Sequence, residues 1–269
     1  MPDVSVIVSF YNKIEYIKLL FAGFERQTFR DFEIIVGDDG SKADVVEEIE
    51  KLTPKIPFPL KHLWQEDKGF RKNKMLNKTI LAAGAPYLIF IDGDCVPHKE
   101  FIKEHINAAE KGVCLTGRRV NLSDKITKLL TPEKIEAGFL ENSFNLTLDG
   151  LFGGSYDVEK GFYFKKSFLR KYFNKKKRGL LGCNFSIHKE DILRINGFDE
   201  RYEAPSIGED TDIQYRLELN RIKIKSLNNI AVQYHLYHKL QERLRKNLDL
   251  FDEVKKSGEA FTKYGVVKI

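Results

Sequence analysis

The chain predicts an α/β protein built on a mostly parallel central sheet flanked by helices. Two observations carry that expectation. Short β-branched and aromatic runs recur between Val4 and Asp92, and stretches of helical period separate them, the alternation of parallel crossover units. The strand-like runs are also apolar on both faces, as a sheet covered on both sides requires.

In order, Val4 to Phe10 (VSVIVSF) reads as the first buried strand. Asn12 is placed to cap the following helix, whose Ile17, Leu20, Phe21 and Phe24 recur at i, i+3, i+4 and i+7. A second strand, Phe32 to Val36, runs into Gly37-Asp38-Asp39-Gly40-Ser41, and Val45, Val46, Ile49 and Leu52 mark the next helix. A connector with Pro54, Pro57 and Pro59 leads to a third strand around Leu60 to Trp64. Gly69-Phe70-Arg71-Lys72-Asn73-Lys74 then opens a helix through Met75, Leu76, Ile80 and Leu81. The fourth strand, beginning at Tyr87, ends in Asp92-Gly93-Asp94. Two carboxylates so close repel unless a cation or hydrogen-bond donors lie between them, although Asp and Gly also favour plain turns. The loops after strands one, two and four carry Tyr11-Asn12, Asp38-Asp39 and Asp92-Asp94. In a parallel sheet they converge at the C-terminal edge, where open α/β sheets bind ligands.

Composition narrows the class. The 269 residues, 42% hydrophobic and 31% charged, suffice for one large domain. A net charge of +6 favours anionic partners but is too small to imply nucleic acid, and none is expected. Cys95, Cys114 and Cys183 form no Cys-x-x-Cys pair, which fits a reduced, cytoplasmic setting. No secretory signal is evident at Met1-Pro2-Asp3-Val4-Ser5, no apolar run approaches a membrane span, and Asn121-Leu122-Ser123 reads as a chance glycosylation match. Strand one is followed by neither Gly-x-Gly-x-x-Gly nor a Gly-Lys-Ser/Thr loop, so dinucleotide and P-loop readings lose their support.

The ordered set of motifs resembles family 2 glycosyltransferases of the Rossmann-like GT-A fold. It comprises Val8-Ser9-Phe10-Tyr11-Asn12, Asp38-Asp39-Gly40-Ser41, Gly69-Phe70-Arg71 with Asn77, and Asp92-Gly93-Asp94. Gly182-Cys183-Asn184-Phe185-Ser186, Gly197-Phe198-Asp199-Glu200 and Gly208-Glu209-Asp210-Thr211-Asp212 continue it. The last block is similar to the C-terminal motif of β-1,4-galactosyltransferases and bacterial chondroitin-type polymerases. The resemblance implies one GT-A domain over residues 1–269. Residues 1–120 would form the nucleotide-sugar half, 121–238 the acceptor half and 239–269 a basic helical tail.

By the same resemblance, the activity is inverting transfer of a hexose or N-acetylhexosamine from a UDP-sugar to a glycan or lipid-linked glycan, in bacterial surface-polysaccharide or lipopolysaccharide synthesis. Such chemistry must stabilise a departing diphosphate and deprotonate an acceptor hydroxyl. Asp94 is implied as direct ligand of Mn²⁺ or Mg²⁺, with Asp92 on the ribose or supporting the metal through water. His235 or His238 would add a ligand. If that segment is extended, at most one points inward, and His235 is favoured. Tyr11, Asp39 and then Asp38 would contact the nucleoside, with Phe10, Asn12 and Gly93 in the same loops, and Arg71 or Lys74 would neutralise the diphosphate. Arg118 and Arg119 are further candidates near the donor. Asp210 is the implied base with Glu209 orienting the acceptor, Asp212 stands behind them, and Gly182 and Asn184 shape the acceptor wall. Capping of a helix start competes for Glu209 and Asp210, whereas Cys183 reads as a small buried residue.

Residues 121–178 match no pattern, but a basic-aromatic run from Phe162 to Arg178 (Lys165, Lys166, Arg170, Lys171, Lys175, Lys176, Lys177 and Arg178) could meet an anionic glycan or the inner-membrane surface. Two other classes fit the motifs less well. A sugar-1-phosphate nucleotidyltransferase needs a Gly-rich basic loop after strand one, which Ser9-Phe10-Tyr11-Asn12 does not offer. A non-catalytic glycan-binding scaffold predicts missing acids, yet Asp92, Asp94 and Asp210 are present.

Overall fold

The computed structural model describes residues 2–176, 178–205, 209–239 and 245–268, without the side chain of Ser143. Lys177 of the basic run, Gly208 of the 208–212 block and residues 240–244 of the tail lie outside the described residues.

Ten strands are described: β1 (Val4–Phe10), β2 (Phe32–Asp38), β3 (Leu60–Trp64), β4 (Tyr87–Asp92), β5 (Cys95–Pro97), β6 (Val113–Thr116), β7 (Arg118–Asn121), β8 (Asn184–His188), β9 (Lys223–Ser226) and β10 (Val232–His235). The helices are α1 (Ile14–Glu25), α2 (Ala43–Leu52), α3 (Lys72–Ala82), α4 (Phe101–Asn107), α5 (Asp124–Leu129), α6 (Pro132–Glu136), α7 (Ser143–Phe152), α8 (Ser167–Phe173), α9 (Lys189–Leu193), α10 (Glu209–Leu219) and α11 (Lys246–Ser257).

Seven strands form one sheet in the order β3-β2-β1-β4-β8-β6-β9. The β3-β2-β1-β4 half is parallel throughout, and β8 runs antiparallel between β4 and β6. Alternation along β1 sends Val4, Val6, Val8 and Phe10 into a core with α1, α2 and α4, while Ile7 faces a second core with α3, α9 and α10. Phe90 and Phe185, opposite each other on β4 and β8, stack with centroids 4.3 Å apart and are nearly fully buried. Truncating either to alanine costs about 3–5 kcal/mol. Ile17, Leu20, Phe21 and Phe24 of α1 are all buried, as their spacing requires.

Strand β6 stops at Thr116. Gly117 then lets the chain change sheets, since a Cβ there would stand 2.4 Å from the Asn184 amide. β7 joins β5 and β10 in a three-stranded sheet. The boundary placed at residue 120 falls inside β7.

Asn12 does not cap α1. Its φ is +55°, its N–H donates to Ser41 Oγ at 2.7 Å, and its Oδ1 accepts from Lys42 N at 2.9 Å, at the start of α2. The residue therefore ties the loop after β1 to the loop after β2. Two other motifs meet on α3: Asn73 donates to Asp199 O at 2.8 Å and Asn77 to Phe198 O at 2.9 Å, both from buried positions one turn apart. The end of the chain clasps the same loop, with Val266 N on Asn196 O and Val267 N on Asn196 Oδ1.

Candidate active site

The parallel half of the sheet brings its loops to one edge, and the carboxylate pair sits there. Asp92 closes β4 with Oδ1 accepting from Ser9 Oγ at 2.5 Å and from Lys72 Nζ at 3.0 Å. Gly93 N donates to Ser9 O at 2.8 Å, and a Cβ at Gly93 would meet the buried Phe10 ring at 3.0 Å. Phe10 thus supports the turn from below.

Asp94 belongs to a different cluster. Its Oδ2 lies 3.4 Å from His235 Nε2 and 3.1 Å from His238 Nε2, and the two imidazoles approach to 3.2 Å. The ligand atoms of the three residues lie within 4.8 Å of one another. Both histidines point inward, contrary to the expectation for an extended segment. β10 ends at His235, Leu236 N donates to Asp94 O at 2.8 Å, and the chain turns to return His238 to the same carboxylate. Burial works to raise the Asp94 carboxyl, but the two histidine bonds outweigh it and hold the group well below its usual range. The same contact lifts the His238 imidazole above its ordinary value. One carboxylate oxygen and two imidazole nitrogens form a donor set that suits a divalent transition ion.

Register places Arg119 and Asn121 of β7, Gln233 and His235 of β10, and Cys95 of β5 on one face of the small sheet, with Val120, Val232 and Tyr234 in the core behind. Arg119 donates to Asn121 Oδ1 at 3.1 Å and Cys183 Sγ at 3.3 Å. Arg118 instead bonds the carbonyls of Gly117 and Gly179. Cys183 is buried, as expected, and also accepts from Gln233 at 3.1 Å.

In the loop after β2, Asp39 is buried. Its two oxygens accept from Gln65 Nε2 and from the backbone N–H of Arg71, each at 2.6 Å, while burial pushes its carboxyl upward. Asp38 is enclosed completely: Oδ1 accepts from Ser41 N at 2.8 Å and Oδ2 meets His62 at 3.1 Å. It holds the turn that presents Asp39 and offers no open surface of its own. Tyr11 is half exposed and donates to Asp67 at 2.9 Å. The Arg71 side chain turns away to the Glu66 carbonyl.

Lys72, not Lys74, is the cation among the acids. Its Nζ bridges Asp92 Oδ1 and Glu209 Oε1, each at 3.0 Å. Two residues along a helix are about 200° apart, so Lys74 cannot share that direction. Glu209 and Asp210 open α10, and Asp210 Oδ2 accepts from Gly182 N at 2.8 Å. A Cβ on Gly182 would lie 2.0 Å from Asp210 Oδ1, so this approach demands glycine. Burial, with Glu209 adding repulsion, pushes the Asp210 carboxyl from 3.8 to about 7 although Lys72 opposes. Asp212 is buried and paired with Arg216 at 2.7 Å inside the helix, behind the site. Asn184 is fully buried, its amide spanning Arg118 O and Ala231 O, so it braces the wall between the sheets.

Lys72, Ser9 and Gln65 were not among the expected site residues. Lys72 and Ser9 stood within quoted motifs, but only helix phase and strand register select them. Gln65 carried no signal.

This sheet order, with the neighbouring small sheet, is the GT-A arrangement. The chain belongs to glycosyl transferase family 2, whose sequence model matches residues 5–181. The model described as the N-terminal domain of galactosyltransferase matches residues 164–239. Chondroitin synthase of Escherichia coli is 25% identical over 257 residues, covering 87% of this chain and 35% of that protein. GalNAc(5)-diNAcBac-PP-undecaprenol beta-1,3-glucosyltransferase of Campylobacter jejuni is 31% identical over 97 residues, 35% of this chain and 30% of the relative. The chain thus spans about a third of the length of these relatives. Among solved structures, S. aureus TarS 1-349 in complex with UDP-GlcNAc superimposes with a TM-score of 0.60 at 20% identity, over 96% of this chain and 65% of that one. GalNAc-T7 with UDP, GalNAc and Mn²⁺ gives 0.62 at 14%, over 95% and 48%. Those two likenesses speak to the fold. Among the described residues, no helix is long and apolar enough to cross a membrane.

Proposed function

We propose that the chain is a metal-dependent, inverting glycosyltransferase. It would move a hexose or N-acetylhexosamine from a UDP-sugar to a hydroxyl of a glycan or lipid-linked glycan in bacterial surface-polysaccharide or lipopolysaccharide synthesis. The observation that carries the reading is the pairing, at one sheet edge, of the Asp94-His235-His238 cluster with a half-buried Asp210 lifted to about 7. A group of that basicity is matched to taking a proton near neutrality.

In the proposed reaction the acceptor oxygen attacks the anomeric carbon from the face opposite the diphosphate. The bond from that carbon to the phosphate oxygen breaks, UDP departs with the bonding pair, and the hydroxyl proton passes to Asp210. Glu209 orients the acceptor: its Oε1 is held by Lys72, and its Oε2 has no hydrogen-bond partner among the described residues. Residues 1–120 would hold the donor, with Tyr11 and Asp39 at the nucleoside and Asp92 at the ribose, while residues 121–238 supply the acceptor side. Asp94, His235 and His238 would hold a divalent cation, Mn²⁺ in preference to Mg²⁺ because two ligands are nitrogen. When bound, such an ion supplies charge neutralisation for the departing diphosphate.

The deciding measurement is UDP release from a panel of UDP-sugars over an array of oligosaccharide acceptors, with and without Mn²⁺. Metal-dependent release with at least one donor supports the reading. No release from any donor, together with no Mn²⁺-dependent thermal shift by UDP, overturns it.

A further inference from the structure

Helix α7 turns apolar side chains to solvent. Phe144, Leu148, Leu151 and Phe152 recur at i, i+4, i+7 and i+8 and are 67%, 42%, 69% and 86% exposed. Its inner side is satisfied separately, by buried Leu146 and by Gly150 packed on Val158. A surface helix normally faces water with charged residues, and α7 has no lysine or arginine.

A second patch lies on and beside α8. Phe168 and Tyr172, one turn apart, are each 65% exposed. Around them Lys165, Lys166, Lys171, Lys175 and Lys176 are exposed, and none of the five pairs with a carboxylate among the described residues. Arg170 in the same helix is instead committed to Glu104, at 2.6 Å. Both patches hang on one corner of the fold. Glu141, in the turn packed against α7, pairs with Lys99 at 3.3 Å, and Tyr163, which leads into α8, stacks on His98 with centroids 4.7 Å apart.

We infer that α7 and α8 form a docking surface for a bilayer bearing anionic phospholipids. Phe144, Leu148, Leu151 and Phe152 enter the headgroup boundary, and the five lysines, of which Lys175 lies over the Tyr172 ring, reach the lipid phosphates. A soluble polyanion would satisfy the lysines and leave the α7 stripe in water. A second copy of the chain meeting through a two-fold axis would cover the stripe but set like charges against one another. An anionic bilayer matches both halves, and an apolar signal joined to a basic one is what stable interfacial attachment needs.

The test is co-sedimentation of the purified chain with phosphatidylcholine vesicles, alone or containing about one-third phosphatidylglycerol. No donor is present, so the result is independent of the transferase reading. The chain is expected to sediment with the anionic vesicles and to be released by salt. Each lysine neutralised should weaken partition about fivefold, so Lys171→Gln/Lys175→Gln/Lys176→Gln loses about 100-fold. Leu151→Ser/Phe152→Ser lowers partition at unchanged charge, and both variants keep the parent's melting temperature because the residues are exposed. Absence of binding to the anionic vesicles, or unchanged partition in both variants, overturns the inference. So does binding that moves wholly to dextran sulfate, or a dimer in light scattering that Leu151→Ser/Phe152→Ser abolishes.

Discussion

The ammonium of Lys72 lies 3.0 Å from the Asp92 carboxylate, and its other partner at the same distance is Glu209. One side chain at the start of α3 thereby joins the acidic end of β4 to the start of α10. It places one positive charge among three carboxylates, Asp92, Glu209 and Asp210.

Replacing Lys72 by methionine leaves Asp92, Glu209 and Asp210 facing one another without neutralisation. The expected outcome is a loss of about 2 kcal/mol in stability and at least about tenfold in turnover. Lys72 lowers the Asp210 carboxyl, so the acid limb of the pH profile should move upward in Lys72→Met. A profile that stays in place while turnover falls would assign Lys72 to packing alone.

Asp210 must be ionised to accept a proton, so turnover should fall as pH drops through about 7. The stability effect has the opposite sense. A carboxyl raised in the folded state disfavours folding once it ionises, so stability is lost as pH rises from the ordinary carboxylate range through about 7. Asp210→Asn should lower turnover by about 10²–10⁴-fold and, above about pH 7, melt a few degrees higher than the parent. Equal turnover in the variant would remove Asp210 from the reaction.

Metal binding should follow the three-residue cluster. Asp94→Ala is expected to abolish the Mn²⁺-dependent thermal shift, and His235→Ala and His238→Ala each to weaken Mn²⁺ by about tenfold or more. Titration of the variants with Mn²⁺ alone reads this without any sugar. Full affinity in His238→Ala would return the ligand set to His235 alone.

Gly182→Ala tests the fit around the proposed base, Asp210. The added methyl would stand 2.0 Å from Asp210 Oδ1, and the carboxylate must move. A cost of about 1–3 kcal/mol in denaturant melts is expected, with at least about tenfold lower turnover. Undisturbed activity would mean that the Gly182–Asp210 contact has no part in positioning.

The parallel half of the fold is legible in the chain because strand and helix periods are local. β1, β3 and β4 start where their apolar runs start, and β2 runs only two residues further than its apolar run, to Asp38. The loops carrying Tyr11, Asp39 and Asp92 follow from that alternation, since parallel strands put their C-terminal ends together. Helix phase chose Lys72 over Lys74, and a turn after β10 brought in His238 beside His235. Neither choice leaves a trace in spacing, because each depends on the direction of a side chain relative to a partner more than 100 residues away. The pairing of Gly182 with Asp210, 28 residues apart, is likewise set by packing and not by spacing. The sequence by itself determined the parallel half of the sheet and its acidic edge; tertiary packing decided which charges meet there, because a buried charge is stable only beside partners that distant parts of the chain supply.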